Sequence, residues 1–136
     1  LRTFGGGGIR YTLVDRDGVD VHFGSGLMYE IETWQATEGV RASEFNKYIP
    51  KISNYLGTEF ELSQHVKFYL WGLHQTGWDQ QSGIRRTRFA GDATFNIIMT
   101  RKITWINRFS YFYDVHPVIS INPSYYTIMN GLRITL

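Results

Sequence analysis

Val19-Asp20-Val21-His22-Phe23-Gly24-Ser25-Gly26-Leu27-Met28-Tyr29-Glu30-Ile31-Glu32-Thr33-Trp34 is the stretch that decides the fold. Val19, Val21, Phe23, Leu27, Tyr29 and Ile31 share one parity, while Asp20, His22, Gly24, Gly26, Glu30 and Glu32 share the other. Successive side chains of a strand point to opposite faces, so a period of two over this length gives one apolar and one charged face. A helix would scatter these charges around its circumference.

The same alternation recurs outward from this stretch. Over residues 46–62, Tyr48, Ile52, Leu56, Phe60 and Leu62 oppose Lys47, Lys51, Ser53, Gly57, Glu59 and Glu61. Five more segments, 4–14, 66–76, 86–99, 103–115 and 124–136, read as strands with charge on one parity. Arg86, Arg88 and Asp92 oppose Phe89, Ala93, Phe95 and Ile97; Arg108 and Asp114 oppose Ile103, Trp105, Phe109 and Tyr111. A charge facing hydrocarbon near the bilayer midplane costs about 2–4 kcal/mol, so strict segregation suits strands that face lipid. A soluble sandwich that hides its apolar face obeys the same rule. The expected fold is all-β: an antiparallel up-and-down transmembrane β-barrel, a single domain over 1–136 with seven visible strands.

Composition narrows the classes. A chain of 136 residues with 16% aromatics, 14 Gly and only 3 Pro suits one strand-rich domain. The net charge of +2 without a basic block argues against nucleic acid as a partner. Having no cysteine, the chain has no disulfide, no thiolate-held zinc and no thiol nucleophile. No run approaches the ~20 apolar residues of a spanning helix, so membrane residence would require a barrel. The opening Leu1-Arg2-Thr3-Phe4-Gly5-Gly6-Gly7-Gly8 has neither a charged n-region nor an apolar h-region, so a removed signal or a fragment is expected.

Connections alternate in length. Asp15-Arg16-Asp17-Gly18, Ser63-Gln64-His65 and Thr100-Arg101-Lys102 read as tight turns, and 35–45, 77–85 and 116–123 as longer loops. An up-and-down outer-membrane barrel puts its short turns at the periplasmic end and its long loops outside. Single-chain bacterial barrels have even strand numbers, so seven strands predict others before Leu1 or from another chain.

The segment Asn130-Gly131-Leu132-Arg133-Ile134-Thr135-Leu136 resembles the C-terminal signal by which outer-membrane proteins are recognised by the barrel assembly machinery. Asn130, Gly131, Ile134 and Leu136 carry the likeness; Leu136 departs from the aromatic residue on which the pattern often closes. With FGGGGIRYTLVDRDGVDVHFGSGLMYE (residues 4–30) and the later strands, the chain resembles an uncharacterised family of salt-induced outer-membrane barrels. The resemblance implies a bacterial outer-membrane location, lipid as a neighbour and further strands upstream. It brings no activity, catalytic residue or cofactor.

Candidate sites each have a plainer reading. Gly5 to Gly8 lacks the GK[ST] and following helix of a phosphate loop, and suits a crowded strand better. His22, His65, His74 and His116 are not paired at ligand spacing. Ser25 and Ser53 are the nearest approach to a nucleophile, without a GxSxG elbow or an assignable Asp-His pair. Glu30 with Glu32, and Glu59 with Glu61, project from one face about 7 Å apart, a spacing open to acid–base work at a glycosidic bond. The expectation is instead that they meet Lys47, Lys51, Arg86, Arg88 or Arg108 inside a barrel, where with Asp92 they would set ion preference. Tyr29, Trp34, Tyr48, Tyr111, Tyr113, Tyr125 and Tyr126 fall towards the long-loop ends, and Phe60, Phe68 and Trp105 towards the turn ends, as interfacial girdles would. Asn54, Asn107 and Asn130 fall on the apolar parity, against the lipid-facing reading.

A non-catalytic outer-membrane barrel of structural or pore type, without cofactor or metal, leads the functions. Alternatives are a barrel subunit of a larger envelope complex, a soluble lipocalin-like binder with its apolar face turned inward, and an outer-membrane lipid hydrolase.

Overall fold

The computed structural model describes residues 2–34, 45–117 and 122–135. Their strands are β1 (Arg2–Arg16), β2 (Val19–Trp34), β3 (Phe45–Ser63), β4 (Val66–Asp79), β5 (Ile84–Ile98), β6 (Ile103–Asp114) and β7 (Ser124–Ile134). They form one sheet in the order β1-β2-β3-β4-β5-β6-β7, each strand antiparallel to the next. The fold is thus an all-β up-and-down sheet with β1 and β7 as its edges.

Short polar turns let sequential strands pair. Gly18 takes φ 77°, a left-handed value that only Gly adopts without strain, and its carbonyl accepts the Glu61 N–H at 2.7 Å. The hydroxyl of Thr100 accepts the N–H groups of Lys102 (3.2 Å) and Ile103 (3.1 Å), closing the β5–β6 turn.

The stretch expected as a loop over 77–85 is mostly strand. Gly77, Trp78 and Asp79 pair with Arg86, Arg85 and Ile84, which leaves only residues 80–83 as the connection. The Asp79 carboxylate accepts N–H groups from Gln81 (3.1 Å) and Ser82 (3.3 Å), and Gly83 turns the chain at φ 67°. This link is as short as that over 99–102, so the alternation of short and long connections fails here. The other two expected long loops lie largely outside the described residues.

Parity holds through the sheet, apart from shifts between Thr12 and Val14 and between Glu61 and Ser63. One face buries charge and the other exposes apolar side chains. Among the described residues the one buried apolar side chain is Ile49, whereas Glu30, Glu32, Lys51, Asp79, Arg86, Arg88 and Asp114 are buried. Leu27, Ile52, Leu56, Phe95, Phe109 and Leu132 are exposed on the opposite, outward face. Apolar side chains are thus exposed on the outward face from β2 to β7.

Candidate functional site

The inner face carries two groups of charge. Near the loop ends of the strands, β2 supplies Glu30 and Glu32, β3 Lys47 and Lys51, β4 Asp79, β5 Arg86 and Arg88, and β6 Asp114. Lys51 is hydrogen-bonded to Glu30, and Arg88 Nη1 lies 3.5 Å from Glu30 Oε1. Arg86 Nη1 donates to Glu32 Oε2 at 3.0 Å, and its other nitrogens reach the His116 carbonyl at 2.9 and 3.2 Å. Arg88 donates to Asp114 at 2.9 and 3.2 Å and stands over the Phe112 ring at 5.7 Å. Among the described residues four cations face four carboxylates.

Position within the sheet makes this possible. Arg86 pairs in register with Gly77, and a Cβ added there would fall 2.4 Å from the Pro50 carbonyl and 2.5 Å from Lys51 Cγ. Only a residue without a side chain permits that approach.

The seam between β3 and β4 ends at this level. Its ladder starts at Lys51–Gly77; nearer the loops β3 pairs with β2, and Trp78 and Asp79 pair with β5. Pro50, which has no N–H to contribute to a ladder, sits beside the break. Lys47 Nζ bridges the parted strands to Asp79 Oδ2 at 2.8 Å. The Asp79 carboxylate also accepts the N–H groups of Gln81 and Ser82, so the turn and the bridge share one acceptor group.

Towards the turn ends the inner face opens into a trough of about 740 Å³ lined by Arg10, Asp20, His22, Glu59, Asp92 and Arg108 among others. Arg108 Nε donates to Asp92 at 2.9 Å, Ser110 also bonds Asp92, and His22 Nδ1 is 2.8 Å from Asp20. Glu61 is bonded to Lys67, whose ammonium also lies 3.9 Å from Glu59.

All ten charges singled out from sequence, Glu30, Glu32, Lys47, Lys51, Glu59, Glu61, Arg86, Arg88, Asp92 and Arg108, therefore lie on the inner face. Their pairing differs in part: Glu59 and Glu61 meet Lys67, because their position near the turn keeps them from Arg86 and Arg88. Asp79 was hidden by the loop-like composition around it, although the parity of β4 continues through it. The partnership of Asp114 with Arg88 follows from register, which periodicity alone does not give.

Ser25 donates to Asn54 at 2.7 Å on the outward face, and Ser53 accepts from Gln75 at 3.3 Å on the inner face. Neither adjoins a base that could activate it. His74 packs on Phe89, ring centroids 4.9 Å apart. Among the described residues no three His, Asp or Glu gather as a metal site. Asn130, Gly131 and Ile134 lie in β7, with Asn130 opposite Asn107; Leu136 lies outside the described residues.

Comparison with known proteins found no matching family model, curated relative or solved structure.

Proposed function

We propose that the chain forms part of a bacterial outer-membrane β-barrel of structural or pore type, without catalysis. The observation that carries this reading is the polarity of the sheet: buried, mutually neutralised charges within and exposed apolar side chains without. In hydrocarbon an open edge leaves backbone groups unsatisfied, so β1 and β7 must be joined by further strands or by another chain. Closure turns the inner face into a lumen. The ion-paired group lines its loop end, and the trough lines its turn end. The resemblance to salt-induced outer-membrane barrels and the β7 signal pattern agree with this placement.

A second reading, a barrel subunit of a larger envelope complex, is favoured by the row Ser25, Asn54 and His74 on the outward face. Polar groups at that depth gain from facing a protein neighbour.

Electrophoresis of the full chain from washed outer membranes tests the proposal. A heat-modifiable mobility shift with a β-type circular dichroism spectrum in detergent is expected. A chain that is folded and soluble in plain buffer, without that shift, would overturn it.

A further inference from the structure

Among the described strand residues, Arg85 and Arg16 are the Arg or Lys residues with outward parity, at opposite ends of the sheet. Arg85 is the second residue of β5, exposed, and paired in register with Trp78. Its Nε donates to Thr76 Oγ1 at 3.1 Å. Among the described residues no carboxylate pairs with it, as none pairs with Arg10 or Arg133 of the inner face, whereas Arg86, Arg88 and Arg108 each have one.

Beside it the outward face is indented. Where the β3–β4 ladder stops at Pro50, a groove of about 670 Å³ opens, its lining including Tyr29, Pro50, Ile52, Thr76, Trp78 and Arg85. The volume is that of a site for a small molecule, roughly 300–1,000 Å³. The walls are almost wholly apolar, and the cation stands at the loop end, level with Trp78, on a lining that also includes Tyr29. Tyr and Trp mark the interface between hydrocarbon and headgroups, and a guanidinium there has donors that match a phosphate.

From this we infer that the split seam between β3 and β4 is a binding site for an anionic amphiphile. An acyl chain occupies the groove against Ile52 and Trp78, and a headgroup phosphate accepts hydrogen bonds from Arg85. The charge complementarity favours a lipid of net negative charge, since a zwitterionic one offsets its phosphate with its own cation. The inference rests on the outer-membrane reading above.

The test folds the full chain into phosphatidylcholine vesicles doped with either phosphatidylglycerol or phosphatidylcholine bearing the same photoreactive acyl chain. Labelling is mapped by mass spectrometry, and a gel shift is recorded for each sample. Labelling near Ile52 and Trp78 should favour phosphatidylglycerol by about tenfold, the worth of a charge-assisted hydrogen bond, and Arg85→Gln should remove the preference. Ile52→Trp, which fills the groove without touching the charge, should suppress labelling there by either lipid, and it decides the matter if Arg85→Gln does not fold. Equal labelling by both lipids, or labelling indifferent to the variants, in samples that keep the gel shift would overturn the site and leave the barrel. A wild-type chain without the shift would overturn both.

Discussion

Arg86 Nη1 lies 3.0 Å from Glu32 Oε2 although their strands, β5 and β2, are separated by β3 and β4. Three strand spacings would hold them roughly 14 Å apart on a flat sheet. The ion pair therefore reports how tightly the sheet curls, and it holds the curl from within. Both groups are buried, so each depends on its partner for solvation.

Removing one member of this pair should be costly. Arg86→Met leaves the Glu32 carboxylate, 1% exposed, without the guanidinium that stands 3.0 Å from it. The expected loss is about 3–5 kcal/mol in urea unfolding from detergent, as for other buried pairs broken on one side. Glu32→Leu combined with Arg86→Met should recover most of it. A single variant within about 1 kcal/mol of the parent would mean that water reaches the cluster.

The two glycines Gly77 and Gly72 should respond differently to a methyl group. At Gly77 an added Cβ collides with the Pro50 carbonyl and Lys51, while at Gly72 nothing lies within 4 Å. Gly77→Ala should destabilise by about 1–3 kcal/mol through strain, and Gly72→Ala should be neutral or slightly stabilising. Paired denaturation curves decide this. Equal midpoints would show that β3 and β4 part freely.

The two-residue period was enough to assign every charge singled out from sequence to its face, because a strand has only two. It was also enough to place most strand ends within two residues, since turn residues interrupt the alternation. Gly77 was misread for a physical reason: glycine marks both turns and close approaches, and here Pro50 and Lys51 require the second. Asp79 went with it, as an aspartate beside Gln80, Gln81, Ser82 and Gly83 reads like loop. The meeting of β2 with β5 follows from the shared parity of Glu30, Glu32, Arg86 and Arg88, but which carboxylate takes which cation was not legible, because it depends on curl and register between strands far apart in the chain.

Loss of the Asp79 carboxylate should loosen the loop end of β4, because it accepts hydrogen bonds from Lys47, Gln81 and Ser82. Protease cleavage in the 80–83 turn should be slow in the parent chain and faster in Asp79→Asn, which keeps the size of the side chain but not its charge. Equal cleavage of the two would show that the carboxylate does not hold the turn.

A depth series on β3 distinguishes lipid from other surroundings of the outward face. Tyr48, Ile52, Leu56 and Phe60 share that face from the loop end to the turn end. Leu56, between Phe23 and Gly72, lies near the middle. In a bilayer the cost of substituting Arg should peak there at about 2–4 kcal/mol and fall to roughly 0–1 kcal/mol at Tyr48 and Phe60, where the guanidinium reaches headgroups. In a packed protein core the costs would follow how tightly each position is enclosed, and on a surface facing water they would be small throughout. Unfolding from phosphatidylcholine vesicles measures the series. A profile without a central maximum would remove hydrocarbon from the outward face, and with it the reason for keeping all the singled-out charges on the other.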